Sequence, residues 1–242
     1  MKLDFRGKTI LITGGTHGIG KQLAKDFLKL KGKVICTTTN IKKLKNKKNL
    51  SFEHLDFNDH LSTRTFFNRI KKINKIDVLI NNAGINKIDT INKIQLEDWH
   101  KIHNVNVQGP LFLTKEVSKI MLKKGNGGKI INISSIFGVV SREKRSMYSA
   151  SKSALLGLTR ASALDLSKHN VLVNSVSPGF VNTSLTRKIL GKKGIKNIIK
   201  EIPIRRMAST KDVSNLIIFL CSNYNSYITG QNFIIDGGVT CK

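Results

Sequence analysis

Three side chains near the middle of the chain have the types and spacing needed for proton transfer. Ser135 follows an apolar run, Tyr148 comes thirteen residues later, and Lys152 lies four residues beyond the tyrosine. Residues four apart share one face of a helix, so the ammonium would lie beside the phenol. A nearby positive charge favours the phenolate and allows proton exchange near neutral pH. The pattern suggests chemistry at an alcohol or carbonyl oxygen, although this tyrosine–lysine spacing is also common in ordinary helices.

A glycine-rich segment near the N-terminus has the setting of a phosphate-binding turn. The apolar run Lys8–Thr13 predicts a strand, Gly14–Gly20 follows it, and apolar residues then recur at helical spacing. Glycines allow close backbone approach, and a helix N-terminus attracts a pyrophosphate. The spacing Gly-x-x-x-Gly-x-Gly differs from the usual Gly-x-Gly-x-x-Gly fingerprint. We therefore predict a dinucleotide site, rather than a tight turn without a ligand.

The end of the second predicted strand favours NADP over NAD. Strand Lys33–Thr37 is followed by the hydroxyl and amide side chains of 38–40, and then by Lys42 and Lys43. Folds that bind NAD usually place a carboxylate there to hold the ribose hydroxyls. Hydroxyls and positive charge suit a 2′-phosphate instead, and His17 in the glycine turn could add partial charge. NADP is the predicted cofactor, with NAD as the alternative.

The remaining segments alternate between strand and helix patterns, which predicts one doubly wound α/β domain. A short third strand ends at Asp56, whose carboxylate could bind an adenine amine or cap a turn. Leu96–Lys123 reads as one long helix, with a glycine and a proline just after Asn106 that predict a functional kink. The lysine-rich segment Thr183–Arg206 carries few order signals and is predicted to be a mobile lid over the substrate.

Composition limits the classes of protein that the chain can represent. No apolar run is long enough to span a membrane, the first residues do not resemble a signal peptide, and the three cysteines have no metal-ligand spacing. These features predict a cytoplasmic protein without a disulfide framework or metal. The net charge of +27 raises nucleic-acid binding as a hypothesis. The lysines are scattered without interleaved aromatics, so a bias of the composition towards lysine and asparagine on a solvated surface explains the charge at least as well. Attraction to an acidic partner or a phosphorylated ligand stays open, whereas specific nucleic-acid binding is disfavoured.

Taken together, these motifs resemble the short-chain dehydrogenase/reductase family over about 5–238. The signatures, in order, are Thr13-Gly-x-x-x-Gly-Ile-Gly20, Asn81-Asn-Ala-Gly84, Asn106, Ser135 with Tyr148-x-x-x-Lys152, and Pro178-Gly179 with Thr183. The resemblance implies a single-domain Rossmann fold over 1–242. Its seven-stranded parallel sheet would have the order 3-2-1-4-5-6-7, with helices on both faces. It also implies a homotetramer or homodimer.

The resemblance further implies a role for each motif residue. Tyr148 would be the general acid in reduction and the base in oxidation, and Lys152 would lower its pKa and bind the nicotinamide ribose. Ser135 would hold the substrate oxygen, and Asn106 would hold a water that relays protons. The implied cofactor contacts are Gly14, Thr16, His17, Gly18, Ile19, Gly20, Thr39, Asp56, Asn82, Ala83, Gly84, Tyr148, Lys152, Pro178, Gly179, Val181 and Thr183.

Within that family, three C-terminal segments resemble 3-oxoacyl-[acyl-carrier-protein] reductases, namely 202–206, 226–231 and 236–238. The resemblance implies an NADP-dependent reductase of a 3-oxoacyl thioester, and an acidic carrier protein would suit the basic surface. The basic segments 141–147 and 185–191 depart from that pattern and resemble members that act on sugars or oxo-acids, in surface-polysaccharide or polyol metabolism. A non-catalytic NAD(P) sensor is a remoter alternative, because all four catalytic positions are intact.

Overall fold

The computed structural model describes residues 3–42 and 44–241, and a seven-stranded parallel sheet runs through them. The strand order is β3-β2-β1-β4-β5-β6-β7, which confirms the predicted doubly wound α/β fold. The strands are β1 Thr9–Ile12, β2 Lys33–Thr38, β3 Leu50–His54, β4 Val78–Asn81, β5 Gly128–Ile133, β6 Val171–Pro178 and β7 Asn232–Ile235.

Seven α-helices connect the strands within the described residues, and they cover both faces of the sheet. They are α1 Gly18–Lys29, α2 His60–Ile70, α3 Leu96–His103, α4 Gly109–Lys124, α5 Ser146–Leu166, α6 Ser184–Glu201 and α7 Thr210–Cys221. Successive strand residues point to opposite faces, so Ile10 and Ile12 pack towards α1 and α7 while Leu11 packs towards α2, α4 and α5. This alternation produces one apolar core on each side of the sheet.

The strand order reverses between β1 and β4, and this creates a crevice at the carboxyl ends of the strands. β1 pairs with β2 on one side and with β4 on the other, and all three run parallel. Ligands of open parallel sheets bind at such a switch point. The glycine turn after β1 and the amide segment after β4 therefore meet at one edge of the sheet.

The predicted long helix is divided in two by a π-helical turn at Asn104–Gln108. A π turn inserts one extra residue into the helical ladder, and it is frequent at functional sites. Pro110 lies in the first turn of α4, where its missing N–H costs least. The sequence thus predicted the interruption at Asn106 but not its π-helical form.

Two local predictions differ from the structure. The segment after Thr183 is not irregular, because α6 forms there with a break at Gly191, where φ is 61° and ψ is 179°. A glycine just after a helix commonly provides its left-handed cap, which predicts Gly32 as the cap of α1, yet Lys31 takes the left-handed conformation, with φ of 67°. Gly32 is required for packing instead, since a Cβ there would lie 2.7 Å from Ile10 Cδ1.

Candidate active site

A cavity of about 620 Å³ lies along the carboxyl ends of β1, β2, β4, β5 and β6. It brings the glycine turn and the predicted catalytic tyrosine into one space. Of the predicted site residues, the cavity is lined by Gly14, Thr16, His17, Gly18, Ile19, Thr39, Asp56, Asn82, Ala83, Gly84, Ser135, Tyr148, Lys152, Pro178, Gly179, Val181 and Thr183. Gly20 and Asn106 are buried behind its wall.

The glycine turn is held in shape by the amide segment after β4. Gly14 and Gly18 have φ of 65° and 51°, values that favour glycine. Asn82 Nδ2 donates to the carbonyls of Thr13 and Gly14 at 2.9 Å and 3.2 Å. Gly20 was predicted to contact cofactor, but a Cβ there would lie 2.4 Å from the Gly14 carbonyl oxygen. It therefore allows α1 to pack against the turn and does not reach the cavity.

The second glycine of the turn, Gly15, is excluded from carrying a side chain by its neighbour on β2. A Cβ at Gly15 would lie 2.3 Å from the sulfur of Cys36. Cys36 is buried, and burial raises the pKa of its thiol to about 12. The turn and β2 are thus in contact through a glycine and a neutral thiol.

Hydroxyl groups line the cavity at the end of β2. Thr37 Oγ1 accepts a hydrogen bond from Gly14 N at 3.4 Å, and Thr38 Oγ1 accepts one from Asn40 N at 3.2 Å. Thr39 is exposed towards the cavity. Lys42 is exposed and does not line the cavity, and Lys43 lies outside the described residues. The end of β2, which has no carboxylate, therefore presents threonine hydroxyls to the cavity and not Lys42.

The proton-transfer residues meet where β5 ends and α5 begins. Ser135 begins a short 3-10 turn, where its hydroxyl accepts a hydrogen bond from Phe137 N at 3.2 Å, and Ser135 and Tyr148 both line the cavity. Lys152 is 3% exposed, and its Nζ donates to the Ile133 carbonyl at 2.8 Å. The neighbouring Ser134 donates its hydroxyl to the Lys152 carbonyl at 2.9 Å. One end of β5 thus fixes both ends of Lys152.

The protonation preferences of this cluster differ from the simple expectation. Burial raises the pKa of Tyr148, while the Ser135 hydrogen bond and the Arg145 charge act in the opposite direction. Burial lowers the pKa of Lys152 to about 8. The Lys152 ammonium lies 5.6 Å from the centre of the Tyr148 ring and bonds the Ile133 carbonyl. Burial is the largest influence on the pKa of Tyr148 in this arrangement, and the lowering of that pKa by Lys152 stays a prediction.

Asn106 clamps the π turn to the active-site loop. Its Oδ1 accepts from Ile85 N at 2.9 Å, and its Nδ2 donates to Ile85 O at 2.9 Å and to Ser151 Oγ at 3.0 Å. Ser151 in turn donates to the Tyr148 carbonyl at 2.7 Å. A Cβ at Gly84 would lie 3.4 Å from Lys152 Nζ and 3.5 Å from Asn106 Oδ1. The side chain predicted to hold a water is therefore bonded to the protein, close to Lys152.

Two arginines and two phenylalanines form a cluster at the substrate end of the cavity. The guanidinium carbon of Arg145 lies 5.5 Å from the centre of the Phe137 ring, and that of Arg142 lies 5.7 Å from the Phe180 ring. The two rings meet edge to face at 6.2 Å. Arg142 also pairs with Glu201 at the end of α6. Both arginines belong to the basic segment 141–147 noted in the sequence, but nothing in the sequence pattern indicated either phenylalanine.

The first residues of α6 close the other side of the cavity. Thr183 caps the helix by accepting a hydrogen bond from Thr186 N at 3.2 Å. A Cβ at Gly18 would lie 3.3 Å from the methyl carbon of Thr183. Leu185, Ile189 and Leu190 extend the apolar wall along the helix. The lid segment therefore contacts the glycine turn at its beginning and the arginine–phenylalanine cluster at its end.

Other features concern classes of site that the sequence disfavoured. In residues 3–42 and 44–241, no group of three His, Cys, Asp or Glu side chains is placed to hold a metal. Over the same residues, none of the helices combines the length and apolarity needed to cross a membrane. The three cysteines are free, with Cys36 and Cys221 buried and Cys241 exposed.

Comparisons with known proteins agree with this geometry. A family model described as enoyl-(acyl carrier protein) reductase matches 14–240. The 3-oxoacyl-[acyl-carrier-protein] reductase of Rickettsia typhi is 36% identical over 239 residues, which is 98% of each chain. A 4-hydroxyisoleucine dehydrogenase complexed with NADH superposes with a TM-score of 0.91 at 33% identity, covering 97% of this chain and 99% of that one.

A further solved structure, ElxO with NADP bound, has a TM-score of 0.89 at 34% identity and the same coverage of 97% and 99%. The neighbours thus include one complex with NADH and one with NADP. Both complexes share the fold over nearly the whole chain. The chain therefore belongs to the short-chain dehydrogenase/reductase family and is an NAD(P)-dependent oxidoreductase.

Proposed function

We propose that this protein reduces the ketone of a 3-oxoacyl thioester with NADPH. One observation carries the proposal: the Ser135 and Tyr148 hydroxyls and the buried Lys152 ammonium face the same cavity as the glycine turn. The curated relatives reported above are 3-oxoacyl-[acyl-carrier-protein] reductases by name, which supports this substrate class over a sugar or a free oxo-acid. A non-catalytic sensor would have no need of the intact proton-transfer set.

The cavity fits a nicotinamide dinucleotide because its polar groups are spaced along one groove. The Gly14 and Gly18 turn and the N-terminus of α1 would hold the pyrophosphate. Asp56 and Asn82, which line the cavity, would face the adenosine half, and Val181 and Thr183 would face the carboxamide. Lys152 would bind the nicotinamide ribose. The bound cofactor supplies a hydride, and the protein supplies orientation and the proton.

Proton delivery follows from the arrangement of the hydroxyls. Burial keeps Tyr148 protonated at neutral pH, which suits a general acid in the reductive direction. The ketone oxygen would accept hydrogen bonds from Ser135 and Tyr148 and take the tyrosine proton as it becomes an alcohol. In the oxidative direction Tyr148 would accept the proton. Lys152 would hold Tyr148 in position. Asn106 would hold a water that relays a proton from solvent through Lys152 to the tyrosine.

NADPH is the proposed cofactor because the end of β2 carries hydroxyl groups and no carboxylate. The proposal does not depend on an arginine or lysine contact to the 2′-phosphate. Thr37, Thr38 and Thr39 supply hydroxyls there, and His17 and Thr16 lie on the facing turn with an Oγ1–Nδ1 distance of 2.9 Å. A carboxylate at this position would favour the ribose hydroxyls of NAD. NADH is the alternative cofactor, and the relative affinities decide between them.

An acidic acyl-carrier protein is the proposed macromolecular partner, because the net charge of +27 would attract it. A homotetramer or homodimer in the cytoplasm is the assembly and location that we infer for a member of this family. The cavity itself is built from one chain, so activity measurements on the purified protein test the substrate without knowledge of the assembly.

Replacement of Tyr148 with Phe tests the mechanism. The variant should lose about 100-fold or more of kcat for a 3-oxoacyl thioester, because general acid catalysis typically contributes that much. NADPH affinity, measured by fluorescence titration, should change little. A variant that keeps its activity would contradict the mechanism. A wild-type protein that binds NADPH but reduces no ketone would instead support the sensor hypothesis.

A further inference from the structure

Arg145 is a cation in the cavity wall without an anion of its own. It lies one residue before α5, three positions before Tyr148, and is half-buried. Among the residues that the structure describes, no carboxylate lies within ion-pair distance of it and no group accepts a hydrogen bond from its side chain. Its neighbour Arg142, by contrast, pairs with Glu201. A half-buried guanidinium that lines the cavity without a protein acceptor has its N–H donors available to a ligand in that cavity.

The position of Arg145 limits what that ligand group can be. The guanidinium carbon of Arg145 lies over the face of the Phe137 ring, and the same ring lies edge-on to Tyr148 with centroids 6.4 Å apart. This cation–π contact leaves N–H groups of the guanidinium available to donate to an acceptor in the cavity. The charge of Arg145 acts on the Tyr148 hydroxyl. The unfilled donors therefore lie on the same wall as the group that protonates the ketone oxygen.

The reacting ketone oxygen already has two partners in Ser135 and Tyr148. The donors of Arg145 thus suit a second acceptor on the same substrate, close to the ketone in the bonding sequence. A 3-oxoacyl group carries one, because its C1 oxygen is separated from the ketone by a single methylene carbon. Both oxygens of such a 1,3-dicarbonyl can turn to the same wall.

We propose that Arg145 is the specificity residue of this enzyme and binds the C1 oxygen of a 3-oxoacyl substrate. This inference rests on the function proposed above and names the group that the site recognises beyond the ketone. The C1 oxygen belongs to a carbonyl in a thioester and to a carboxylate in a free 3-oxo acid. In either form it accepts from a guanidinium, and the carboxylate does so bidentately.

The test compares three substrates that share a methyl ketone. They are acetoacetyl-N-acetylcysteamine, which is an uncharged thioester, acetoacetate, and 2-pentanone, which lacks the second oxygen. Arg145→Gln should lower kcat/KM about tenfold or more for the first two and less than about twofold for 2-pentanone. Lys144→Gln, which removes the same charge from an exposed neighbour, should leave the ratios between substrates unchanged.

The outcomes separate the two sources of the C1 oxygen. A loss with both 3-oxo substrates assigns Arg145 to the acyl oxygen in general, whereas a loss with acetoacetate alone restricts it to a carboxylate and overturns the thioester contact. Arg145→Lys should have a higher rate with acetoacetate than Arg145→Gln, since lysine restores the positive charge but not the paired N–H donors of the guanidinium. An equal loss with all three substrates, or no loss, would overturn the proposal.

A binding measurement keeps this proposal separate from the proposed function. In the Tyr148→Phe background with NADPH present, acetoacetate affinity is measured by calorimetry with and without Arg145→Gln. A weakening of about tenfold supports the Arg145 site even if the wild-type protein turns over no thioester, a result that would overturn only the proposed function. Equal affinities would overturn the Arg145 site even if the protein is an active reductase.

Discussion

At the scale of single residues, the site is a set of groups whose protonation is controlled by burial. Tyr148 is kept neutral and Lys152 is brought close to losing its proton, although neither has a carboxylate as a partner among the described residues. The Ile133 carbonyl and the Ser134 hydroxyl hold the lysine at its two ends. Its position is therefore set by the end of β5 alone.

The depressed pKa of Lys152 predicts a specific pH dependence of stability. The unfolded lysine titrates near 10.5 and the folded one near 8, so the folded state binds fewer protons between these values. Unfolding free energy should therefore rise with pH in this window, by up to roughly 3 kcal/mol from this residue. Below pH 8 the cost of burying the protonated amine is present in full.

Lys152→Met isolates this contribution, because all other groups titrate in both proteins. Urea unfolding from pH 7 to pH 10 should show the wild type gaining on the variant by about 1.4 kcal/mol per pH unit above the folded pKa. The variant also loses the hydrogen bond to the Ile133 carbonyl, which lowers its unfolding free energy by about 1 kcal/mol at every pH. Parallel curves for the two proteins would show that the amine is not destabilised by burial.

Thr39 gives a residue-scale prediction for cofactor choice. Thr39→Asp places a carboxylate at the end of β2, where it would repel a 2′-phosphate and bind ribose hydroxyls. The ratio of NADPH to NADH affinity should fall about tenfold or more, which corresponds to roughly 1.4 kcal/mol. Thr65→Asp, on the exposed face of α2, is the matched control. An unchanged ratio of NADPH to NADH affinity in both variants would show that the end of β2 does not determine cofactor choice.

At the scale of elements, two interruptions of helical geometry shape the cavity. The π turn at Asn104–Gln108 directs Asn106 inward to bond Ile85 and Ser151. The break in α6 at Gly191 comes just after the apolar residues that line the cavity. Both interruptions lie beside the site, and each turns the chain without a long loop.

Gly191 is where the lid helix is most sensitive to substitution. Its φ of 61° and ψ of 179° fall in a region used almost only by glycine, while a Cβ would meet no atom within 4 Å. Gly191→Ala should thus cost about 1–3 kcal/mol through the backbone alone. Substrate KM should rise as α6 straightens, whereas NADPH affinity should hold.

Gly194→Ala is the control in the same helix, since Gly194 does not have a left-handed φ. Urea unfolding should show Gly191→Ala to be less stable than Gly194→Ala by at least about 1 kcal/mol. Equal stability of the two variants would mean that the break in α6 relaxes without cost, and that the lid is not held in this shape by its glycine.

The fold was predictable from elements whose local pattern agrees with their packing. The β1 residues are all apolar or β-branched because both faces of the strand are covered. α6 was not predictable, because its two glycines and five lysines weaken the helical pattern and its apolar support comes from residues outside the helix, among them Phe180, Met207 and the distant Val239. Asn106 was located by its conflict with helix propensity, whereas Phe137 and Phe180 carry no local signal of their contact with arginine.

At the scale of the whole molecule, charge is the property that the fold leaves unexplained. The described ion pairs are mostly exposed, and such pairs contribute little to stability. An excess of +27 therefore acts mainly on what approaches the protein. A strongly acidic carrier would gain in association rate, while an uncharged substrate would not.

Salt dependence distinguishes these two kinds of substrate. KM for an acetoacetyl group on an acidic carrier protein should rise several-fold between about 50 mM and 300 mM salt, because screening shortens the reach of surface charge. KM for acetoacetyl-N-acetylcysteamine should stay constant over the same range and serves as the control. Identical salt responses would show that the positive surface does not recruit the carrier.

The contact between Gly15 and Cys36 sets the freedom available to protein engineers. The glycine has no room for a methyl group, and the thiol opposite it cannot grow without displacing the glycine turn. Conversion of this enzyme to another nicotinamide coenzyme must therefore keep position 36 small. Such redesign is directed to Thr39 and Asn40, which follow β2, are exposed and line the cavity.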